Sequence, residues 1–170
     1  MPVVNTKGTI VTNLDTAPPV QNPLYLMGGV LREQVSTVEI AVADCNASVF
    51  RMGRVHSSWR ISEITIFCDA ITSGSVFDLG LYQTAENGGA VVDANAYADN
   101  ITLVTGILVG TSLLFEAGSA VGVEHIEQRV WQNAGLTSDP GIFYDLCLTG
   151  DTVGSGAGTV SLRTRYVANS

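Results

Sequence analysis

Charge is what this 170-residue chain has least of: Asp, Glu, Lys and Arg together make up 14% of it, against about 25% in an average soluble domain. Lys7 is the only lysine, and eight basic residues face sixteen acidic ones, a net charge of −8. That balance repels phosphate and argues against a nucleic-acid partner. Cysteine is also scarce. Cys45, Cys68 and Cys147 are an odd set with no CxxC spacing, which argues against a disulfide framework or a zinc site. Reduced thiols are expected, with Cys68 acting as a small hydrophobe on an apolar strand face. No basic cluster followed by an apolar run opens the chain, so no signal peptide is predicted. The longest uncharged apolar-rich run, Ile101 to Phe115, has 15 residues, fewer than the roughly 20 a membrane helix needs. It reads as a buried strand and a turn, and no membrane partner is expected.

The motifs of common chemistries are missing as well. Gly154-x-Gly156-x-Gly158 precedes a strand, whereas a dinucleotide fingerprint must open a helix; a hairpin turn is the better reading. Asp93, Asn95 and Asp99 begin like a calcium loop, but Ala98 and Val104 stand where its glycine and glutamate belong. His125 has no histidine four residues on, and no G-x-S-x-G elbow accompanies His56, Ser57 and Ser58. Glu63, Asp69, Asp78 and Asp145 fall on strands and read as solvated or interface acids. No catalytic residue, cofactor site or metal site is assigned, and an enzyme is not expected.

What is present is alternation. Hydrophobic residues make up 46% of the chain, too much for a disordered one. They recur with period two at Val38–Ile40–Val42, Ile64–Ile66–Cys68–Ala70, Phe77–Leu79–Leu81, Ile101–Leu103, Tyr144–Leu146–Leu148 and Val160–Leu162–Thr164–Tyr166. This is the pattern of antiparallel strands with one face in a core. Turn residues separate the runs at Asp44–Cys45–Asn46, Thr72–Ser73–Gly74–Ser75 and Gly154 to Gly158, and Asn87–Gly88 is a strong hairpin signal. The fold predicted is all-β: an antiparallel β-sandwich, jelly-roll-like, over residues 30–170. Residues 1–29 hold four of the five prolines, which disfavours central strands and helix interiors. They read as an extended N-terminal arm with a short strand at Gly8–Thr12. One short helix is expected at Glu124–Asn133, with Ile126 and Val130 on one face; Asp93–Asp99 could form about two further helical turns.

A surface poor in charge and rich in Ser, Thr, Asn and Gly is weakly protected against association, so much of it is expected to be covered in an assembly. Seven of the eight basic residues are arginines, the cation favoured at interfaces. Arg163 and Arg165 share one face of the last strand, where they either meet an acidic partner or pair with Asp78 and Asp145 across the sheet. With Arg51 and Arg54, and with Lys7, Pro18 and Pro19 of the arm, they are the residues expected to bind a partner.

The block SVFRMGRVHSSWRISEITIFCDAITSGSVFDLGLYQT (Ser48–Thr84), the following VVDANAYADNI (Val91–Ile101) and the closing AGTVSLRTRYVAN (Ala157–Asn169) resemble small virion proteins of tailed bacteriophages. The likeness rests on a strand with an arginine, a second strand, the D-x-G-x-Y strand Asp78–Leu79–Gly80–Leu81–Tyr82 and a closing strand. It spans roughly residues 45–169 and leaves the arm uncovered. The resemblance implies a capsid decoration, or cement, protein. Such a protein is non-enzymatic and made in the host bacterial cytoplasm. It binds the outside of the virion, with the major capsid protein and itself (a homodimer or homotrimer) as partners. A rival reading is a tail- or fibre-associated module binding a host glycan through Trp59, Trp131 and Tyr97.

Overall fold

The computed structural model describes residues 4–42, 44, 46–71, 74–153 and 156–168. Cys45 and Gly154, singled out above, lie outside that set, as do Thr72 and Ser73. Eight strands form two four-stranded antiparallel sheets. In chain order they are β1 (Val30–Ile40), β2 (Val49–His56), β3 (Arg60–Cys68), β4 (Val76–Gln83), β5 (Val91–Thr102), β6 (Ile107–Ser112), β7 (Phe143–Thr152) and β8 (Gly158–Ala168). The first sheet runs β1-β8-β3-β6 and the second β2-β7-β4-β5. Two short helices accompany them, α1 (Thr9–Leu14) and α2 (Val130–Asn133).

The alternating residues build the core. Phe77, Leu79 and Leu81 of β4, Ile64 and Ile66 of β3, Leu146 and Leu148 of β7, and Val160 and Leu162 of β8 are all buried in one cluster between the sheets. Val42 and Ala70 lie two residues beyond the ends of β1 and β3 and are exposed. The uncharged run 101–115 is only partly buried. Ile101, Leu103 and Leu113 enter the core, but β6 is a sheet edge and leaves Leu108 and Val109 exposed.

Three local expectations change. Residues 93–99 are not helical but part of β5. A two-residue step on β4, Leu79 to Leu81, faces a five-residue step on β5, Asp93 to Ala98. The excess chain bulges and drives Ala96 and Tyr97 into the core, and it is this bulge that erases the alternation. Gly80 is its counterpart, since a Cβ there would stand 2.1 Å from the Asp93 carbonyl oxygen. The helix expected at 124–133 is broken: a 3-10 turn covers Val123–His125 and α2 begins only at Val130. Arg129 between them is extended, its backbone N–H held by Gln132 Oε1, and Ile126 is exposed. Finally, Asn87–Gly88 does close a hairpin, β4–β5, with Gly88 and Gly89 both at positive φ. The glycine-rich segment after β7 does not, because β7 and β8 belong to different sheets.

Candidate partner-binding surface

Residues 4–29 are not extended throughout. The stretch expected to be a strand is α1, none of whose residues is buried. The segment folds back on itself: Asn13 Nδ2 donates to Asn22 Oδ1 (2.8 Å), Asn22 Nδ2 donates to the Ile10 carbonyl, and Lys7 Nζ pairs with Asp15 Oδ2 at 2.7 Å. Pro18, in a cis peptide with Ala17, and Pro19 are exposed. The segment is tied to the sandwich at several points. Thr9 Oγ1 donates to Glu127 Oε2, Arg60 Nε donates to the Tyr25 carbonyl, and the Arg129 guanidinium lies over the Tyr25 ring. Gly29 lets the chain pass against β8, where a Cβ would meet Val167 Cγ1 at 2.3 Å and the Leu24 carbonyl oxygen at 2.4 Å. Among the described residues, nine of the nineteen exposed large hydrophobic side chains lie within residues 4–35, among them Val11, Leu14, Leu24, Met27, Leu31 and Val35.

Arg51 and Arg54 meet on the outer face of the second sheet. In a regular strand, residues three apart point to opposite faces. β2 carries a bulge between Arg51 and Gly53, which turns both arginines to one side while Met52 stays in the core. Both hold Asp145 of β7. Arg54 Nε donates to Oδ1 and Arg51 Nη1 to Oδ2, each at 2.7 Å. Arg51 also donates to the carbonyls of Gln83 and Gly89, anchoring the β4–β5 hairpin. Asp145 is 3% exposed while the arginine side chains are 40% and 51% exposed. Burial alone would raise its pKa, but the hydrogen bonds and charges of Arg54 and Arg51 outweigh this and hold it below the ordinary range.

Arg163 and Arg165 lie on the other sheet, so they cannot reach Asp78 or Asp145 as one sequence reading supposed. They pair with neighbours of their own sheet. Arg165 donates from Nε to Glu33 Oε2 and from Nη1 to Glu63 Oε2, both at 2.8 Å; Arg163 reaches Glu63 Oε1 at 3.1 Å and lies over the Phe67 ring. Glu63 also accepts from Thr65; that bond is the largest cause of its lowered pKa, which burial opposes and both arginines support. Asp78 instead accepts the Asn100 N–H, and burial raises its pKa. Asp69 is exposed and accepts weakly from Thr159 N–H at 3.4 Å. Glu33 and Glu63 were not legible as partners, because only the register β1-β8-β3 sets them beside the two arginines.

The remaining groups offer little chemistry. His56 Nδ1 bonds Ser58 Oγ, while Asp139 accepts from Ser57, so the imidazole and the carboxylate serve different serines. Burial raises the Cys68 thiol and pushes Cys147 up to about 12, so both resist forming the reactive thiolate. Among the described residues no group of three His, Cys, Asp or Glu side chains is placed to hold a metal ion, and no helix is long and apolar enough to cross a membrane. Of the aromatics suggested for glycan binding, Tyr97 is fully buried and Trp59 is stacked on Tyr166 at 4.3 Å. Trp131 lies beneath Arg129. The three do not form an exposed platform.

No known protein family matches the chain, and no curated protein matches its sequence. Solved structures do match its fold. One is a chain of the capsid asymmetric unit of cyanophage Pam1, 12% identical over 99% of this chain and 100% of that one, with a TM-score of 0.53. Another is a chain from the capsid of Ralstonia phage GP4, 12% identical over 84% of this chain and 86% of that one, with a TM-score of 0.58. The two-sheet sandwich is therefore a fold this chain shares with chains of two phage capsids.

Proposed function

We propose that this is a non-enzymatic virion structural protein. More specifically, it decorates the outer surface of a phage head, clamping the lattice through contacts with the major capsid protein and with further copies of itself. The observation that carries this reading is the extent of the correspondence with the Pam1 capsid chain. It takes in 99% of this chain, and so the N-terminal segment as well as the sandwich. The strand order β1-β8-β3-β6 over β2-β7-β4-β5 supports reading the sandwich as a jelly roll, a fold frequent in capsid proteins. The apolar side chains exposed along residues 4–35 supply a surface that gains by being covered. Residues 1–29 then act as a contact segment appended to a domain at 30–170, with Lys7, Pro18 and Pro19 at its surface. Individually weak contacts add through multivalency.

The decisive experiment is the copy number of the chain in purified virions by quantitative mass spectrometry, with a variant lacking residues 1–22. A number comparable to the major capsid protein, reduced in the deletion, supports lattice decoration. A handful of copies moves the chain to the tail and favours the glycan-binding alternative, and absence from particles overturns the structural reading.

A further inference from the structure

The two sheets do not meet evenly along the side where β1 and β2 lie. Each of these strands is the edge of its sheet, and between them runs an open groove of about 390 Å³. Residues 34–36 of β1 form one wall, residues 51–54 of β2 the other, and Asp145 also lines it. The β2 bulge that gathers Arg51 and Arg54 faces into this groove. Gly53 leaves room for the Gln34 amide to pack against β2, since a Cβ there would stand 3.0 Å from Gln34 Nε2.

Hydrogen-bond accounting leaves donors over. Arg54 commits Nε and Nη2 to Asp145, and Arg51 commits Nη1 to Asp145 and Gln83 and Nη2 to Gly89. Arg54 Nη1 and Arg51 Nε make no hydrogen bond among the described residues, and an arginine carries five N–H donors. Gln34 Nε2 is buried with no hydrogen-bond partner, which native structures seldom tolerate. Two guanidinium groups hold one buried carboxylate, Asp145, with Glu86 as a further acid near Arg54, in a chain whose net charge is −8. A polyanion would be repelled by the whole; a single carboxylate meets the unspent donors Arg54 Nη1 and Arg51 Nε. Val35, 64% exposed and part of the β1 wall of the groove, and the free strand edges offer apolar contact and main-chain pairing on either side of such a group.

We propose that the β1–β2 groove binds one aspartate or glutamate side chain presented by an extended segment of a protein partner, with Arg54 and Arg51 as the donors. The inference rests on the interaction-protein reading above only for the source of that segment; its chemistry belongs to the groove and is testable on the isolated full chain.

The test is a ¹H–¹⁵N NMR titration of the full chain with the blocked tripeptide acetyl-Val-Glu-Val-amide, its Gln counterpart and inorganic phosphate. The expected result is saturable shifts confined to residues 34–36 and 51–54 with the Glu peptide. Binding should weaken about two- to fivefold, the scale of one exposed charge pair, for the Gln peptide and for Arg54→Gln. Val35→Trp narrows the groove without touching the ion pair and should weaken binding similarly, which guards against Arg54→Gln acting through misfolding. Equal affinity for the Glu and Gln peptides, or shifts elsewhere, overturns the proposal. Phosphate binding as tightly as the Glu peptide would make this a plain anion site and overturn the peptide reading. A virion copy number of zero would remove the capsid role and leave this titration unaffected.

Discussion

Arg54 donates from Nε to Asp145 Oδ1 across 2.7 Å, binding the edge strand β2 to its central neighbour β7 on the face turned away from the core. The two residues are also register partners in the ladder, so side chain and backbone secure the same junction. Arg51 reaches the same carboxylate only because the bulge removes one step of alternation.

That arrangement is unequal, and its mutants should be too. Asp145→Asn leaves two half-exposed guanidinium groups that water can solvate, and should cost about 1–2 kcal/mol. The double variant Arg51→Ala/Arg54→Ala leaves a carboxylate buried without a cation and should cost about 3–5 kcal/mol. Urea denaturation of both variants checks the order; a milder effect from the double variant would refute it.

Gly80→Ala places a methyl group against the bulged backbone of β5, within 2.3 Å of Ala94 C. Overpacking of this kind costs about 1–3 kcal/mol or more, and the contact is with main chain rather than a movable side-chain end. A lowered Tm or loss of soluble protein is expected. Gly8→Ala, whose Cβ meets nothing within 4 Å, should stay within about 0.5 kcal/mol of the parent.

Acid should unfold the chain through its paired carboxylates. Asp145, Glu63 and Asp139 all have lowered pKa values in the folded state. At Asp139 burial, which raises it, is outweighed by the Ser57 and Gly141 hydrogen bonds. A depressed carboxylate stabilises the fold fully above its unfolded value, about 4, and loses that contribution as pH falls through its folded value. Asp78, raised mainly by burial, acts in the opposite sense: its contribution is present at low pH and lost as pH rises through its folded value. With three groups against one, the urea midpoint should fall on acidification below about pH 4. The fall should be shallower in Asp145→Asn; an unchanged slope would show that the carboxylate does not govern this limb.

Strand identity was legible wherever one face is buried in register: Phe77, Leu79 and Leu81 alternate in sequence and lie side by side in the core. It failed at residues 93–99, where the bulge in β5 breaks the period and Ala-rich sequence imitates a helix. It failed again at the arginines. Their type announced ion pairing, but their partners depend on which sheet each strand joins, and no local pattern encodes that. The N-terminal segment misled for a related reason, since its prolines begin only at Pro18 in the described part and leave Thr9–Leu14 free to coil. The exposed apolar residues of 4–35 look like core residues in sequence, and only the finished fold reveals that the sandwich does not enclose them.

Of the seven connections between consecutive strands, six cross from one sheet to the other; only β4–β5 stays within its own. β8, the final strand, is also an interior one, flanked by β1 and β3. β8 follows the other three strands of its sheet in chain order, so the first sheet lacks its middle until β8 docks. Until then β1 and β3 have no common neighbour, and their edges lie open to any other strand nearby. A partly folded state that lacks β8 is therefore the one from which two copies of this chain would pair wrongly, each offering strand edges that β8 covers in the finished fold.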